Sequence, residues 1–192
     1  MTKSNWTEYF EQTKNKPPRS LLVKSLSFCK EKDSALDLGS GALNDSIYLL
    51  DQGFTNVTAV DIEPVAKEIA ENLPKNKFTY TISKIEDFKF SDNHFDLISA
   101  QYSLPFLHPD SFEAVFKNII NSLKDGGIFT GQFFGNGDGW ADEEKMTFLT
   151  LERTKVILSD LELLYFVEEE KDKPTASGKM KHWHVFHIIA RK

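Results

Sequence analysis

Three short features of this sequence carry chemistry. Leu36-Asp37-Leu38-Gly39-Ser40-Gly41 ends an apolar run with two glycines one residue apart. Glycine lacks the β-carbon that would hold a ligand off the chain, so the backbone here can come close to a bound group. Asp61 closes the next apolar run, twenty residues beyond Gly41, a separation at which a carboxylate can accept both hydroxyls of a ribose. Asp37 stands two residues before the first glycine, where a negative charge repels a pyrophosphate and attracts an ammonium. The chemistry implied is capture of a nucleoside-containing ligand.

The elements that must position these residues follow from the hydrophobic pattern. Strands are expected at Ala35–Leu38, Val57–Asp61, Phe78–Ile82, Phe95–Ala100, Ile128–Phe134, Leu163–Val167 and Trp183–Ala190. Asn44–Gln52 reads as a helix stopped by Gly53, and Pro64 enters a further one. Over Pro109–Leu123 the residues Phe112, Val115, Phe116, Ile119, Ile120 and Leu123 form one apolar stripe at helical spacing. Thr150–Ser159 reads as helical. Strands alternating with helices predict an α/β fold, a Rossmann-like, doubly wound and mostly parallel seven-stranded sheet. Only the polar stretch 168–181 separates the last two strands, which predicts an antiparallel hairpin.

Trp6, Tyr9 and Phe10 at helical spacing, then a helix over Ser20–Lys30, make residues 1–34 a cap. Residues 35–134 are the binding core and 135–192 a loop, a helix and the hairpin, all in one domain. In such sheets ligands bind beyond the carboxyl ends of the strands, at the switch in strand order.

Two ligands suit that place. A nicotinamide dinucleotide needs a third glycine at position 44, which is Asn44, and its motif has no carboxylate like Asp37. S-adenosylmethionine carries an ammonium and a sulfonium, and Asp37 favours it. Leu36–Gly41, Ala59-Val60-Asp61, Glu86-Asp87, Phe95-Asp96-Leu97-Ile98 and Leu123-Lys124-Asp125-Gly126-Gly127 resemble the ordered motifs of class I S-adenosylmethionine-dependent methyltransferases. The likeness spans about residues 35–134, and Asn44-Asp45-Ser46-Ile47-Tyr48-Leu49 is similar to the tellurite-resistance type of small-molecule methyltransferase. The resemblance implies that Asp37 orients the methionine ammonium, that Gly39 and Gly41 admit methionine and ribose, and that Asp61 takes the ribose hydroxyls. It further implies that Ile62 packs on adenine, that the Ile85 backbone and Glu86 carboxylate meet the adenine ring and its amine, and that the backbone at Ala100–Gln101 receives the ammonium. Arg19 is assigned the methionine carboxylate. S-adenosylhomocysteine would be the product.

The sequence departs from the family twice. The usual third glycine falls on Leu43, so that either its side chain crowds the methionine or the loop runs differently. Gln101-Tyr102-Ser103-Leu104-Pro105-Phe106 replaces the Asn-Pro-Pro-aromatic tetrad of nucleobase and glutamine methyltransferases, which disfavours their amino-group chemistry.

Tyr102, His108, Trp140 and His184 are the residues expected to shape the acceptor pocket or deprotonate the acceptor. Trp140 lies in a glycine-rich loop and is read as a mobile flap, in balance with a docked loop. His182 and His184 share a strand face, but no third ligand stands at a supporting spacing, so no metal is expected. The chain has 192 residues, 29 acidic against 23 basic, and a net charge of −6, which argues against nucleic acid. Cys29 is the only cysteine, which excludes an internal disulfide. Met1–Arg19 lacks the apolar run of a secretion signal, and no segment is apolar over the roughly 20 residues that span a bilayer. The expectation is a cytoplasmic enzyme acting on a small molecule without nucleic-acid or membrane partners. The alternative is a module that binds the same ligand without transferring a methyl group.

Overall fold

The computed structural model describes residues 3–192, with side chains from Glu8 onward. The Trp6 side chain of the expected N-terminal stripe lies outside the described residues. The strands are β1 (Ser34–Leu38), β2 (Asn56–Asp61), β3 (Phe78–Ile82), β4 (Phe95–Ala100), β5 (Leu123–Gly135), β6 (Phe148–Leu149), β7 (Glu162–Pro174) and β8 (Met180–Arg191). The helices are α1 (Lys3–Thr13), α2 (Ser20–Ser25), α3 (Asn44–Asp51), α4 (Lys67–Glu71), α5 (Pro109–Ser122) and α6 (Leu151–Ile157).

The strand order is β3-β2-β1-β4-β5-β8-β7, and β6 pairs with the tip of β5 at Phe134 and Gly135. The pairs from β3 to β5 are parallel, whereas β8 runs antiparallel to both β5 and β7. The chain leaves β1 toward β2 on one side and returns to β4 on the other. The switch in strand order therefore lies between β1 and β4, at the end of Asp37–Gly41.

Every residue of β1 and β4 is buried, as a central parallel strand covered on both faces requires. One face packs on α5, where Phe112, Val115, Phe116 and Ile119 meet Phe129 and Phe133 of β5. Burying each such side chain contributes about 1.5–3 kcal/mol. The other face packs Leu21 and Leu22 of α2 and Leu49 of α3 against Ala35, Val57 and Ile189. At the amino ends of the strands Asp96 is a clasp: it accepts the backbone N–H groups of Asp33 and Ser34 and pairs with Lys124 at 2.8 Å.

The hairpin differs from expectation. Its strands run through the polar stretch 168–181, leaving only residues 175–179 as the turn. Cross-strand pairs carry the extension: His182 bonds Asp172 at 2.8 Å and Glu170 at 3.0 Å, so polar side chains do the work that apolar ones do elsewhere. Pro174 closes β7 at the sheet edge, where its missing N–H leaves no gap in the ladder. The helix expected over Ser20–Lys30 ends at Ser25 and tightens into a single 3₁₀ turn over Leu26–Phe28. No helix among the described residues is long and apolar enough to cross a membrane.

Candidate active site

The glycine turn after β1 tolerates no side chain at its first glycine. Gly39 has φ +72°, and a β-carbon there would lie 2.4 Å from Cβ of Ser103, whose hydroxyl donates to Leu38 O at 2.7 Å. A β-carbon on Gly41 would meet no atom within 4 Å; this glycine faces open space in the cleft. The Ser40 hydroxyl is buried and has no hydrogen-bond partner among the described residues.

Asp61 is fixed by two backbone donors, Gly41 N–H on Oδ2 at 2.7 Å and Glu63 N–H on Oδ1 at 2.9 Å. Each oxygen keeps acceptor capacity toward the cleft. Burial raises its pKa above the usual carboxylate range. Asp37 is deeper, and Ser46 Oγ donates to it at 2.6 Å. Desolvation, then the neighbouring Asp45, push its pKa up to about 8. Asp45 is buried too, which raises its pKa, and it accepts the Arg19 N–H at 2.7 Å.

Asp37, Gly39, Gly41, Asp45, Arg19 and Gln101 share one pocket of about 370 Å³. It shares Arg19, Gly39, Gly41 and Gln101 with a cleft of about 1210 Å³ that also includes Asp61, Ile62, Ile85, Glu86, Tyr102 and Trp140. Ile62 is exposed and Ile85 buried on that wall. Ala100 is buried at the end of β4, one residue before Gln101. The Arg19 guanidinium donates to the Tyr9 hydroxyl at 2.9 Å and lies 5.3 Å from the centre of the Tyr102 ring. Tyr102 has φ +57°, a conformation costly for a bulky residue and characteristic of functional turns. Its N–H donates to Gln132 Oε1 at 2.9 Å.

Leu43 does not crowd the cleft. It adopts φ +62°, and its side chain is fully buried in the α2–α3 core, off the cleft wall. The loop needs a left-handed residue at this position rather than a missing side chain. Leucine meets that need at about 1–2 kcal/mol of strain.

Two of the histidines have other work. His108 is exposed at the start of α5, where Nδ1 accepts the Asp110 N–H at 3.3 Å; it does not line the cleft. His184 also lies off the cleft wall. Its Nδ1 accepts the Gly137 N–H at 3.0 Å, so the ring proton sits on Nε2 and is donated to Glu168 at 2.8 Å. A β-carbon on Gly135 would lie 2.3 Å from this ring; glycine is there so that the imidazole can stack on the backbone. Among the described residues no group of three His, Cys, Asp or Glu side chains is arranged to hold a metal ion.

The Trp140 loop is docked in this structure rather than a free flap. Gly139 N–H donates to His182 O at 2.8 Å, and Thr147 bonds Pro105 O and Leu107 O through its N–H and hydroxyl. Asp138 bonds the Trp140 and His184 N–H groups and pairs with Lys181 Nζ at 2.5 Å. Both side chains of that pair are almost wholly buried. The Lys181 ammonium lies over Trp183 at 3.6 Å, Trp140 at 4.1 Å and Phe134 at 4.8 Å. Tyr102 and Phe106 complete this aromatic wall, with ring centres 6.2–6.5 Å from their neighbours. Lys181, Trp183, Phe134 and Asp138 were not foreseen from the sequence. The one signal was period-two spacing: Lys181, Trp183 and Val185 share a strand face that lines the cleft.

Residues 35–127 match the model of a family described as a methyltransferase domain. An uncharacterized methyltransferase of Synechocystis sp. is 33% identical over 95 residues, 49% of this chain and 43% of that protein. The match thus spans less than half of that relative's length. The structure of TehB from Haemophilus influenzae superposes with a TM-score of 0.75 at 19% identity, covering 97% of this chain and 67% of that one. A 1,6-didemethyltoxoflavin-N1-methyltransferase of Burkholderia thailandensis, with bound 1,6-didemethyltoxoflavin and S-adenosylhomocysteine, gives a TM-score of 0.65 at 19% identity, over 98% and 86% of the two chains. At these identities the superpositions establish a shared fold.

Proposed function

We propose that this chain is a class I S-adenosylmethionine-dependent methyltransferase, in keeping with the match of residues 35–127 to a methyltransferase-domain model, and that it transfers a methyl group from S-adenosylmethionine to a small-molecule acceptor. The observation that carries this reading is one continuous cleft. It joins Asp61 and the glycine turn to the aromatic wall of Tyr102, Phe134, Trp140 and Trp183.

When bound, S-adenosylmethionine supplies a methyl group on a positively charged sulfur, open to in-line attack. The residues present fit it. Asp61, anchored by two backbone N–H groups, accepts the ribose hydroxyls. Ile62 and Ile85 flank the adenine, and Glu86 meets its exocyclic amine. Gly41 leaves room, the buried Ser40 hydroxyl lies in the same turn, and Asp37 attracts the ammonium. Arg19 reaches the carboxylate. Tyr102 and Trp140 contact the acceptor and exclude water from it, which with alignment is the main requirement of such a displacement. None of these side chains is an obligatory acid or base, so single substitutions on the acceptor side lower the rate without abolishing it.

Calorimetric titration with S-adenosylmethionine, S-adenosylhomocysteine and NAD tests the first half of the proposal. Selective binding of the two sulfur ligands is expected; binding of NAD alone, or of none, refutes it. Incubation with methyl-labelled donor and a panel of small acceptors, read by mass spectrometry, tests the transfer.

A further inference from the structure

The Asp138–Lys181 pair is an odd feature for a cleft wall. Removing two charges from water generally costs as much as their attraction returns, so a buried pair adds little stability by itself. Here the ammonium lies against three aromatic faces, whose negative quadrupoles favour a cation. Asp138 is its only hydrogen-bonding partner among the described residues. Lys181 nonetheless forms part of the cleft wall.

We propose that the acceptor half of this cleft takes a flat, conjugated molecule bearing an anionic oxygen, a carboxylate or phenolate, and that the Lys181 ammonium receives that oxygen. The inference rests on the methyltransferase reading and names the acceptor class for the same site. Two observations carry it independently. The first is shape and polarity: Trp140, Trp183, Phe134, Phe106 and Tyr102 offer π-faces, and stacking favours a planar partner. The second is charge. The hairpin residues lining the cleft include Lys173, Lys179 and Lys181 against the single acid Glu169; Lys181 is paired with Asp138, and Lys179 has no ion-pair partner among the described residues. Glu169 is itself engaged by Lys171 and Lys173. An anionic acceptor would find the Lys181 ammonium and the unpaired Lys179 at this end of the cleft, and a neutral polyol would find few partners on an aromatic wall.

The test uses the full chain saturated with S-adenosylhomocysteine. Its tryptophan indole N–H resonances are followed by NMR during titration with 2-naphthoate, 2-naphthamide and 2-naphthylmethylammonium. The shifting resonances are assigned with W140F and W183F. Naphthoate is expected to bind at least about tenfold more tightly than its neutral isostere, the worth of one charge-assisted hydrogen bond. The ammonium probe should bind least. K181M should erase the preference for the anion. Because K181M leaves Asp138 buried and unpaired, the double variant D138N/K181M serves as the second arm, with folding checked by its melting temperature. Equal affinity for naphthoate and naphthamide, or an anion preference that survives in D138N/K181M, overturns the proposal. S-adenosylhomocysteine binding is measured in the same samples. Its absence would refute the methyltransferase reading, whereas its presence without discrimination among the naphthyl probes would refute the acceptor assignment alone.

Discussion

Asp37 offers a test of the proposed donor site that needs no acceptor. Its carboxyl is buried beside Asp45, and burial with that second acid holds it protonated to about pH 8. An ammonium arriving at Asp37 favours the ionised form, so binding must expel the proton. If the ordinary ligand ammonium stays charged up to about pH 7, affinity below that point follows the ionised fraction of Asp37. That fraction rises about thirtyfold between pH 5.5 and pH 7, equivalent to ~2 kcal/mol of binding free energy. The sign is fixed: affinity for S-adenosylhomocysteine strengthens as pH rises. Calorimetry at pH 7 in buffers of differing ionisation heat should show release of about 0.9 proton per ligand bound. Asp37→Asn should bind more weakly at pH 7, lose most of that proton release and flatten the profile. A wild-type affinity that is level from pH 5.5 to 7, or an Asn variant with the wild-type slope, would refute the assignment of Asp37 to the ammonium.

Four further outcomes are expected. Asp61→Ala should weaken S-adenosylhomocysteine binding by about 1.5–3 kcal/mol, the loss of charged hydrogen bonds; calorimetry checks it, and unchanged affinity would place the ribose elsewhere. Leu43→Gly relieves about 1–2 kcal/mol of backbone strain but removes a fully buried side chain worth about 3–5 kcal/mol; urea unfolding should show net destabilisation, and a more stable variant would mean that the strain outweighs the packing. His184→Ala should lower the melting temperature by loosening the Trp140 loop while leaving S-adenosylhomocysteine affinity within twofold, about 0.4 kcal/mol; a large loss of affinity would tie His184 to the donor site. The raised pKa of Asp37 contributes stability that is fully present below the ordinary value of 3.8 and lost as pH rises toward about 8; the free protein should therefore lose stability between pH 5 and pH 8 more steeply than its Asp37→Asn variant, as thermal melts would show.

Much of the fold was legible because its strands are short, apolar and separated by helices or turns with clear stops. Val57–Asp61 and Phe95–Ala100 need nothing beyond their own composition to be found, and each lies within or coincides with the observed strand. The hairpin was read too short for a physical reason. Residues 168–174 carry Glu, Lys and Asp on both faces, so period-two hydrophobicity vanishes although the ladder continues. What holds that ribbon is pairing between strands, which one strand's sequence cannot display. The two-residue β6 was missed because it exists only where the tip of β5 outruns β4.

The two halves of the cleft differ in the same way. The glycine-turn half is built from backbone geometry: a turn wedged against Ser103, and a carboxylate that ties Gly41 to the end of β2. The second of these spans only 20 positions and leaves its mark as spacing. The aromatic half is built from side chains that meet only after folding. Asp138 reaches Lys181 across 43 positions, and the ring of Trp183 meets Tyr102 from another strand end. A lysine and an aspartate in separate polar stretches read as surface charges, and folding turns them into a buried ion pair on the wall. His108 and His184 failed as acceptor residues for the converse reason. Imidazole is reactive enough to attract attention, but one caps a helix and the other fills the space beside Gly135. Residue type signals what chemistry a side chain can do, whereas the surface it is pressed against decides which of those uses the fold leaves open.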